Sequence, residues 1–323
     1  MKNLLKTMVL AMVLLTACTT KFDLYNYEGD STIVYAVLES DADTNFFRIT
    51  KSSLCNELTY NYNDIDVMFS GLFDNESMVD TVSLDTISIM HDGESRTYYF
   101  TTKKLLEGQE YTLLIHRKTD DVTVVSKTRT ISKIRFLKPI GKYINLRKIN
   151  IAHVEWIGLN TDIAPRINAG YFEVVAYFHY KELMPGATDT VERSMEWHIM
   201  ADDEGRMYNT TNYYYNASYK PITFFEMLER DDYLKNNSPY GVQRWLEPFE
   251  FRIIIYGTEL YNYHIVNNST SAIPEMPNYS NVENGVGIMS SRITKSTFHV
   301  IEQICRKRIT ENYDYGFYYD PNL

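Results

Sequence analysis

The stretch Tyr171-Phe172-Glu173-Val174-Val175-Ala176-Tyr177-Phe178-His179-Tyr180 decides how this chain is read. Phe172, Val174, Ala176, Phe178 and Tyr180 recur at every second position, the period of a strand that buries one face. Met184-Pro185-Gly186 then turns the chain, because Pro fixes φ and Gly accepts a positive one. Met195, Trp197 and Ile199 return on the opposite phase, with Glu196 and His198 outward. The spacing predicts a long hairpin.

Working outward, the same period recurs on both sides. Ile33 to Leu38 is apolar on both faces, as in a central strand. Phe47 and Ile49 alternate with Arg48 and Thr50 after the turn at 40–45. Asp64 to Ser70, Arg96 to Thr101, Val122 to Ile131, Ala152 to Trp156 and Phe251 to Tyr256 read as further strands. Two helices are expected, near 223–234 behind the capping box Thr223-Phe224-Phe225-Glu226 and near 258–266 with Glu259 in its first turn. Residues 201–220 read as a long polar loop and 273–290 as a turn-rich segment. Thr297 to Cys305 and Gly316 to Tyr319 are expected to finish a sheet. The use of 27 Tyr against 14 Gly and 9 Pro agrees with a β-rich chain.

Leu105 to Ile115 carries Leu-x-x-Gly-x-x-Tyr through Gly108 and Tyr111. This resembles the approach to a late strand in immunoglobulin-like sandwiches, where the glycine turns the chain and the tyrosine hydroxyl bonds back to the backbone. The expected fold is therefore mainly β. It consists of an N-terminal immunoglobulin-like β-sandwich over 28–133 and a second β-rich domain with a few short helices over 134–323.

The N-terminus carries the strongest functional signal. Lys2 and Lys6 precede a short apolar run that ends in Leu15-Thr16-Ala17-Cys18. The run is too short to span a bilayer, and the cysteine stands where a lipoprotein signal needs a thiol for thioether formation. Residues 1–17 are read as a lipoprotein signal peptide, 18–27 as a tether, and Cys18 as the lipidation site that holds the chain on a membrane. Loss of the leader leaves the chain two charges more negative than its full-length value of −10. That balance excludes nucleic acid as a partner.

Motifs of catalysis are absent from the pattern. The seven histidines are scattered, with no metal spacing. Asp41-x-Asp43-x-Asn45 starts like a calcium loop but has Phe46 where a glycine is needed and Ser52 where a glutamate is needed. Asp202-Asp203-Glu204 reads as a solvated acidic turn. Gly285-Val286-Gly287 is half a dinucleotide fingerprint and reads as a tight backbone turn. His198 beside Glu196 is the best acid–base candidate, and an exposed ion pair explains it equally well. Asp64 and Asp66 are a carboxylate pair of unknown separation. Cys55 and Cys305 have the choice of a bridge or two buried thiols. No catalytic residue, cofactor or metal is expected. Tyr208, Tyr213, Tyr214, Tyr215 and Tyr219 are the candidate binding residues, since aromatic faces stack on sugars and anchor interfaces.

Three pieces in order resemble the domain-of-unknown-function 4249 family of Gram-negative envelope lipoproteins. They are Val34 to Leu54 with Phe46-Phe47-Arg48-Ile49-Thr50-Lys51, then Gly108-x-x-Tyr111-x-Leu113 with Ser126-Lys127-Thr128, and Thr258-Glu259-Leu260-Tyr261-Asn262-Tyr263 with the run from Pro277 to Ile288. Met289 stands where that family usually has Phe. The resemblance implies an outer-membrane location, periplasmic or surface-facing, and company with a TonB-dependent outer-membrane transporter. It implies no activity. The expected function is thus a non-catalytic accessory or binding lipoprotein of a transport complex. A surface module for a glycan or peptide is the alternative, and an unrecognised hydrolase a distant one.

Overall fold

The computed structural model describes residues 31–53, 56–60, 63–146, 151–156, 168–199, 214–218, 221–268 and 279–318. Nine strands come first: β1 (Ser31–Glu39), β2 (Asn45–Ser53), β3 (Asn56–Thr59), β4 (Ile65–Gly71), β5 (Asp80–Ser83), β6 (Asp85–His91), β7 (Glu94–Thr101), β8 (Glu110–Arg117) and β9 (Val122–Arg129). Next are β10 (Ile134–Lys138), β11 (Tyr143–Ile144), β12 (Ile151–Trp156), β13 (Tyr171–Leu183), β14 (Val191–Ile199) and β15 (Tyr214–Ser218). Helices α1 (Pro221–Arg230) and α2 (Asp232–Asn236) precede β16 (Gln243–Leu246) and β17 (Phe249–Tyr256). Helix α3 (Thr258–Asn268), β18 (Val282–Glu283), β19 (Val286–Ile301), helix α4 (Gln303–Asn312) and β20 (Phe317–Tyr318) end the described chain.

The fold is mainly β with few short helices. Its largest sheet runs β20-β16-β13-β17-β19-β1-β2-β7-β6, with β14 added on β13, β3 on β2 and β11 on β19. A second sheet runs β18-β9-β8-β4-β5, and a third β10-β12-β15. The second sheet packs on the β19–β7 half of the first. Val34, Leu38, Phe47, Tyr99 and Met289 meet Phe69, Tyr111, Leu113, Val124 and Val282 in one core, which makes a β-sandwich. Tyr111 is its corner. The hydroxyl donates to Leu72 O at 2.6 Å and accepts from Leu106 N–H at 2.7 Å, while Gly108 turns the chain at φ 73°.

The other half of the large sheet carries the second core. Val174, Ala176, Phe178, Trp197, Phe251 and Ile253 pack with Phe224, Phe225 and Leu228 of α1 and with Cys305 and Ile309 of α4. Along β19 the alternation puts Met289 and Ile293 on one face, so both cores lie on the same side of the shared sheet. The opposite side carries polar and aromatic residues together with the aliphatic Ile33, Val175, Ile254 and Ile288.

The sequence reading needs correction at three places. Residues 286–301 form the longest strand, although their N-terminal part reads as turn-rich. Beyond this strand comes helix α4 rather than more sheet to Cys305. The segment 201–220 contains β15, whose backbone pairs with β12. Long-range pairing explains the first and third, because the partner strands lie far away in sequence. β19 pairs β1 in parallel and β17 antiparallel, so its backbone is satisfied on both edges despite its serines. Of the Gly-Val-Gly run read as a turn, only Gly285 lies between β18 and β19; Gly287 lies within β19, where a Cβ would stand 2.1 Å from Val34 O. Helices lie near both expected places, but the first segment is two helices broken at Asp231, and Thr223 stands inside α1 rather than capping it. Pro221 opens α1 two residues before the predicted start, as its fixed φ favours. Asp231 then caps α2, its Oδ1 accepting from Leu234 N–H at 2.7 Å.

Two buried polar groups pin the arrangement. Ser291 Oγ donates to Arg129 O at 2.7 Å, and Asn168 bridges Ser291 Oγ to Thr258 N–H, so the end of β9, the middle of β19 and the start of α3 are tied together. Farther along, Glu182 and Arg244 are 1% and 0% exposed. Glu182 Oε1 accepts from Tyr233 OH at 2.6 Å and Arg193 Nε at 3.2 Å, and Oε2 accepts from Arg244 Nε at 2.8 Å and Nη2 at 2.6 Å. Arg244 also donates to Asn237 O, Ser238 Oγ and Tyr315 O. Every polar atom of the pair is used, as burial requires.

Candidate functional site

The side of the large sheet opposite the cores carries the site. In β13 the odd phase presents Tyr171, Glu173, Tyr177 and His179. The register sets Tyr177 beside Glu250 of β17 and Glu196 of β14, and Val175 beside Arg252 and His198. Ser296 of β19 stands next to Arg252. Four strands thus deliver polar groups to one surface, and the bonds of Glu250 to Ser296 and His179 and of Arg252 to Tyr177 span 46, 71 and 75 residues.

Glu250 is the hub, buried yet charged. Its Oε1 accepts from Ser296 Oγ at 2.6 Å and Arg252 Nε at 2.9 Å, and its Oε2 lies 3.0 Å from His179 Nε2. Burial works to raise the carboxyl, but these three hydrogen bonds outweigh it and hold Glu250 below the usual carboxylate range. Arg252 lies 4.4 Å over the Tyr177 ring, and Tyr177 stacks on His179 with centroids 5.9 Å apart. Tyr177 OH donates to Glu196 Oε1 at 3.2 Å. Burial pushes this hydroxyl up, with Glu196 adding to the effect and Arg252 opposing it.

His198 and Glu196, picked out in the sequence, do meet. The imidazole has Glu196 Oε1 3.4 Å from Nε2 and Glu173 Oε1 3.4 Å from Nδ1, and it is 61% exposed. Glu173 Oε2 accepts from Tyr256 OH at 2.9 Å. Burial and this carboxylate push the Tyr256 hydroxyl up to about 12. Tyr171 stacks between Tyr256 at 5.9 Å and Tyr261 of α3 at 6.4 Å, the latter with planes 4° apart. Aromatic rings and charges therefore form one connected band from α3 across β17, β13 and β14.

The chemistry available to the band follows from its connectivity. A Ser-His-acid triad needs the imidazole between the hydroxyl and the carboxylate. Here the Glu250 carboxylate stands between Ser296 and His179, so the order of the three groups is not that of the triad. His198 has a carboxylate at each ring nitrogen. Among the described residues no group of three His, Cys, Asp or Glu side chains is arranged to hold a metal. Asn45 Oδ1 accepts from Glu39 N–H at 2.7 Å, and Asn45 Nδ2 donates back to Glu39 O, so this side chain holds the β1–β2 turn. Asp66 pairs with Lys118 at 2.8 Å.

Of the tyrosines singled out in the sequence, Tyr214 and Tyr215 lie on β15, paired in register with Glu155 and Val154. Tyr208, Tyr213 and Tyr219 lie outside the described residues, as do Cys18, Cys55 and the acidic turn 202–204. Cys305 is buried, its thiol donating to Asn145 Oδ1 at 3.6 Å. Sequence reasoning missed Tyr171, Tyr177, His179, Glu250, Arg252 and Tyr256. The signal available was the odd phase of β13, where rings and charges alternate with the apolar face. No protein-family model matches the chain, and no curated protein matches it.

Proposed function

We propose that this chain is a non-catalytic binding lipoprotein of the outer membrane, held by lipid on Cys18. Its role is that of an accessory component of a TonB-dependent transporter complex. The sandwich acts as a rigid mount, and the aromatic and charged band on β13, β14 and β17 is the contact surface. One observation carries the reading: the ionisable groups of the band are bonded to one another, and Tyr171, Glu196 and His198 are exposed at its surface. Such a surface suits recognition, where rigid rings give contact area at low entropic cost. It does not suit proton transfer, which needs a base within reach of a reacting group. The Leu15-Thr16-Ala17-Cys18 pattern supports the anchor.

A glycan ligand is the second reading, favoured by the parallel rings of Tyr171 and Tyr261. Two experiments separate these. Palmitate labelling and mass spectrometry of the mature N-terminus test the anchor, which Cys18→Ser abolishes. Detergent extraction followed by affinity purification tests the partner. Tyr171→Ala with His198→Ala is expected to remove a co-purifying outer-membrane barrel transporter and leave the thermal melt unchanged. If polysaccharide retention is lost instead, the glycan reading replaces it. Substrate turnover that disappears with His198→Ala refutes both.

A further inference from the structure

We infer that the protein self-associates through β6, pairing antiparallel with β6 of a second copy to join two large sheets into one. β6 ends the large sheet, and all seven of its residues are exposed. Only Tyr99–Thr101 of β7 rest on β2, so most of the β6–β7 hairpin stands clear of the sandwich. Natural edge strands are blunted by charge, Pro, a bulge or brevity. β14 carries Glu192, Arg193, Glu196 and His198, and β20 is two residues long. β6 has none of these devices from Thr86 to Met90. Ile87, Ile89 and Met90 expose 43, 39 and 67% of their surface.

The register selects the occupant. The two-residue turn Asp92-Gly93, with φ 53° and 81°, makes His91 and Glu94 a hydrogen-bonded pair. Alternation then bonds Ile89, Ile87 and Asp85 to β7 as well, and points the N–H and C=O of Thr86, Ser88 and Met90 at the open edge. A two-fold axis through Ser88 sets Ser88 against its own copy and Thr86 against Met90 of the second copy. All three outward residues are then bonded. The same axis sets Ile87 against Ile89 of the second copy, and Asp85 against His91 of the second copy. These four side chains share one face of the strand. The pairing of carboxylate with imidazole is specific to this register: moving the axis to Ile87 sets Asp85 against isoleucine, and moving it to Ile89 sets His91 against isoleucine. His91 Nδ1 already lies 2.8 Å from Asp92, so the second copy's Asp85 adds a further carboxylate to an imidazole held in place. Arg96, beside Ile89 on β7, is tied to Glu94 at 3.7 Å.

The test uses the full chain in detergent. Sedimentation is expected to give a dimer of the protein component. Ile87→Lys with Ile89→Lys places four ammonium groups together and is expected to weaken association about 100-fold, with an unchanged melt. Asp85→Lys alone and His91→Asp alone each weaken it, and the two together restore it. The axis also puts the two Ser88 Cα atoms about 5.5 Å apart, within disulfide reach. Ser88→Cys is therefore expected to cross-link on mild oxidation. Ile87→Cys, about 7–8 Å from its copy on the diagonal, is expected to cross-link poorly, and the parent chain not at all. A monomer at all concentrations, a dimer indifferent to the lysines, or equal cross-linking at positions 87 and 88 overturns the proposal.

Discussion

Arg244→Met is the sharpest probe of the fold. The methionine keeps much of the stem that lies between the rings of Tyr180 and Phe317, each 5.9 Å from the guanidinium. What disappears is the charge and all five donors. Glu182, 1% exposed, keeps only Tyr233 and Arg193. Breaking a buried pair from one side costs about 3–5 kcal/mol. Asn237 O and Tyr315 O lose their donors too, at roughly 1–3 kcal/mol each if water cannot reach them. The expected loss is therefore at least about 4 kcal/mol, measured by urea unfolding at pH 7. Glu182→Gln alone strands the guanidinium. Joined with Arg244→Met, it is expected to cost about 2 kcal/mol less than the sum of the two, since the stranded charge is gone. The pH dependence is a second check. Burial raises the Glu182 carboxyl, but hydrogen bonds from Tyr233 and Arg244 and the arginine charge win and hold it down. A carboxyl lowered on folding contributes stability above its unfolded value of 4.5, and this is lost as pH falls through the folded value. Arg244→Met should flatten that acid limb. A loss below about 1 kcal/mol, or strict additivity with Glu182→Gln, would refute the account of a fully satisfied buried pair.

Val174→Asp puts an unpaired charge at a site 1% exposed and should unfold the protein at 37 °C. Glu173→Gln, on the opposite face, loses only part of its bonds to Tyr256 and His198 and should cost about 1 kcal/mol; equal melting temperatures for the two would contradict the register. Gly287→Ala drives a methyl into Val34 O at φ 113° and should cost at least about 3 kcal/mol in chemical denaturation, with a neutral result placing the β1–β19 approach in error. Burial holds His299 below its ordinary 6.5, so the unfolded chain binds a proton there that the folded chain does not. Stability should therefore fall as pH drops from 6.5 towards the folded value, and His299→Gln should remove that slope; an unchanged slope would mean other groups cause it.

The sequence by itself determined the strands and helices whose burial pattern is local. In β13 the alternation is set by the strand's own residues, so Phe172 to Tyr180 announced both the strand and its buried face. The Gly108–Tyr111 corner was legible in part for the same reason: the bond from Leu106 N–H to the Tyr111 hydroxyl closes within five residues, although the hydroxyl's own acceptor, Leu72 O, lies 39 residues back. Even the break in pattern at Glu182, a charge on the apolar phase, was written there. Its partner was not, because Arg244 lies 62 residues on and only the packing of β16 against β13 brings the two together. The same distance hid β19, whose serines read as a turn until β1 and β17 satisfy its backbone from either side. It hid the band as well: Glu250 looks like any surface acid in a strand until Ser296, His179 and Arg252 close on it. A strand's period fixes which side chains share a face. Which strands stand side by side is decided by pairing over long sequence distances, and that pairing placed the rings and charges of this protein on one surface.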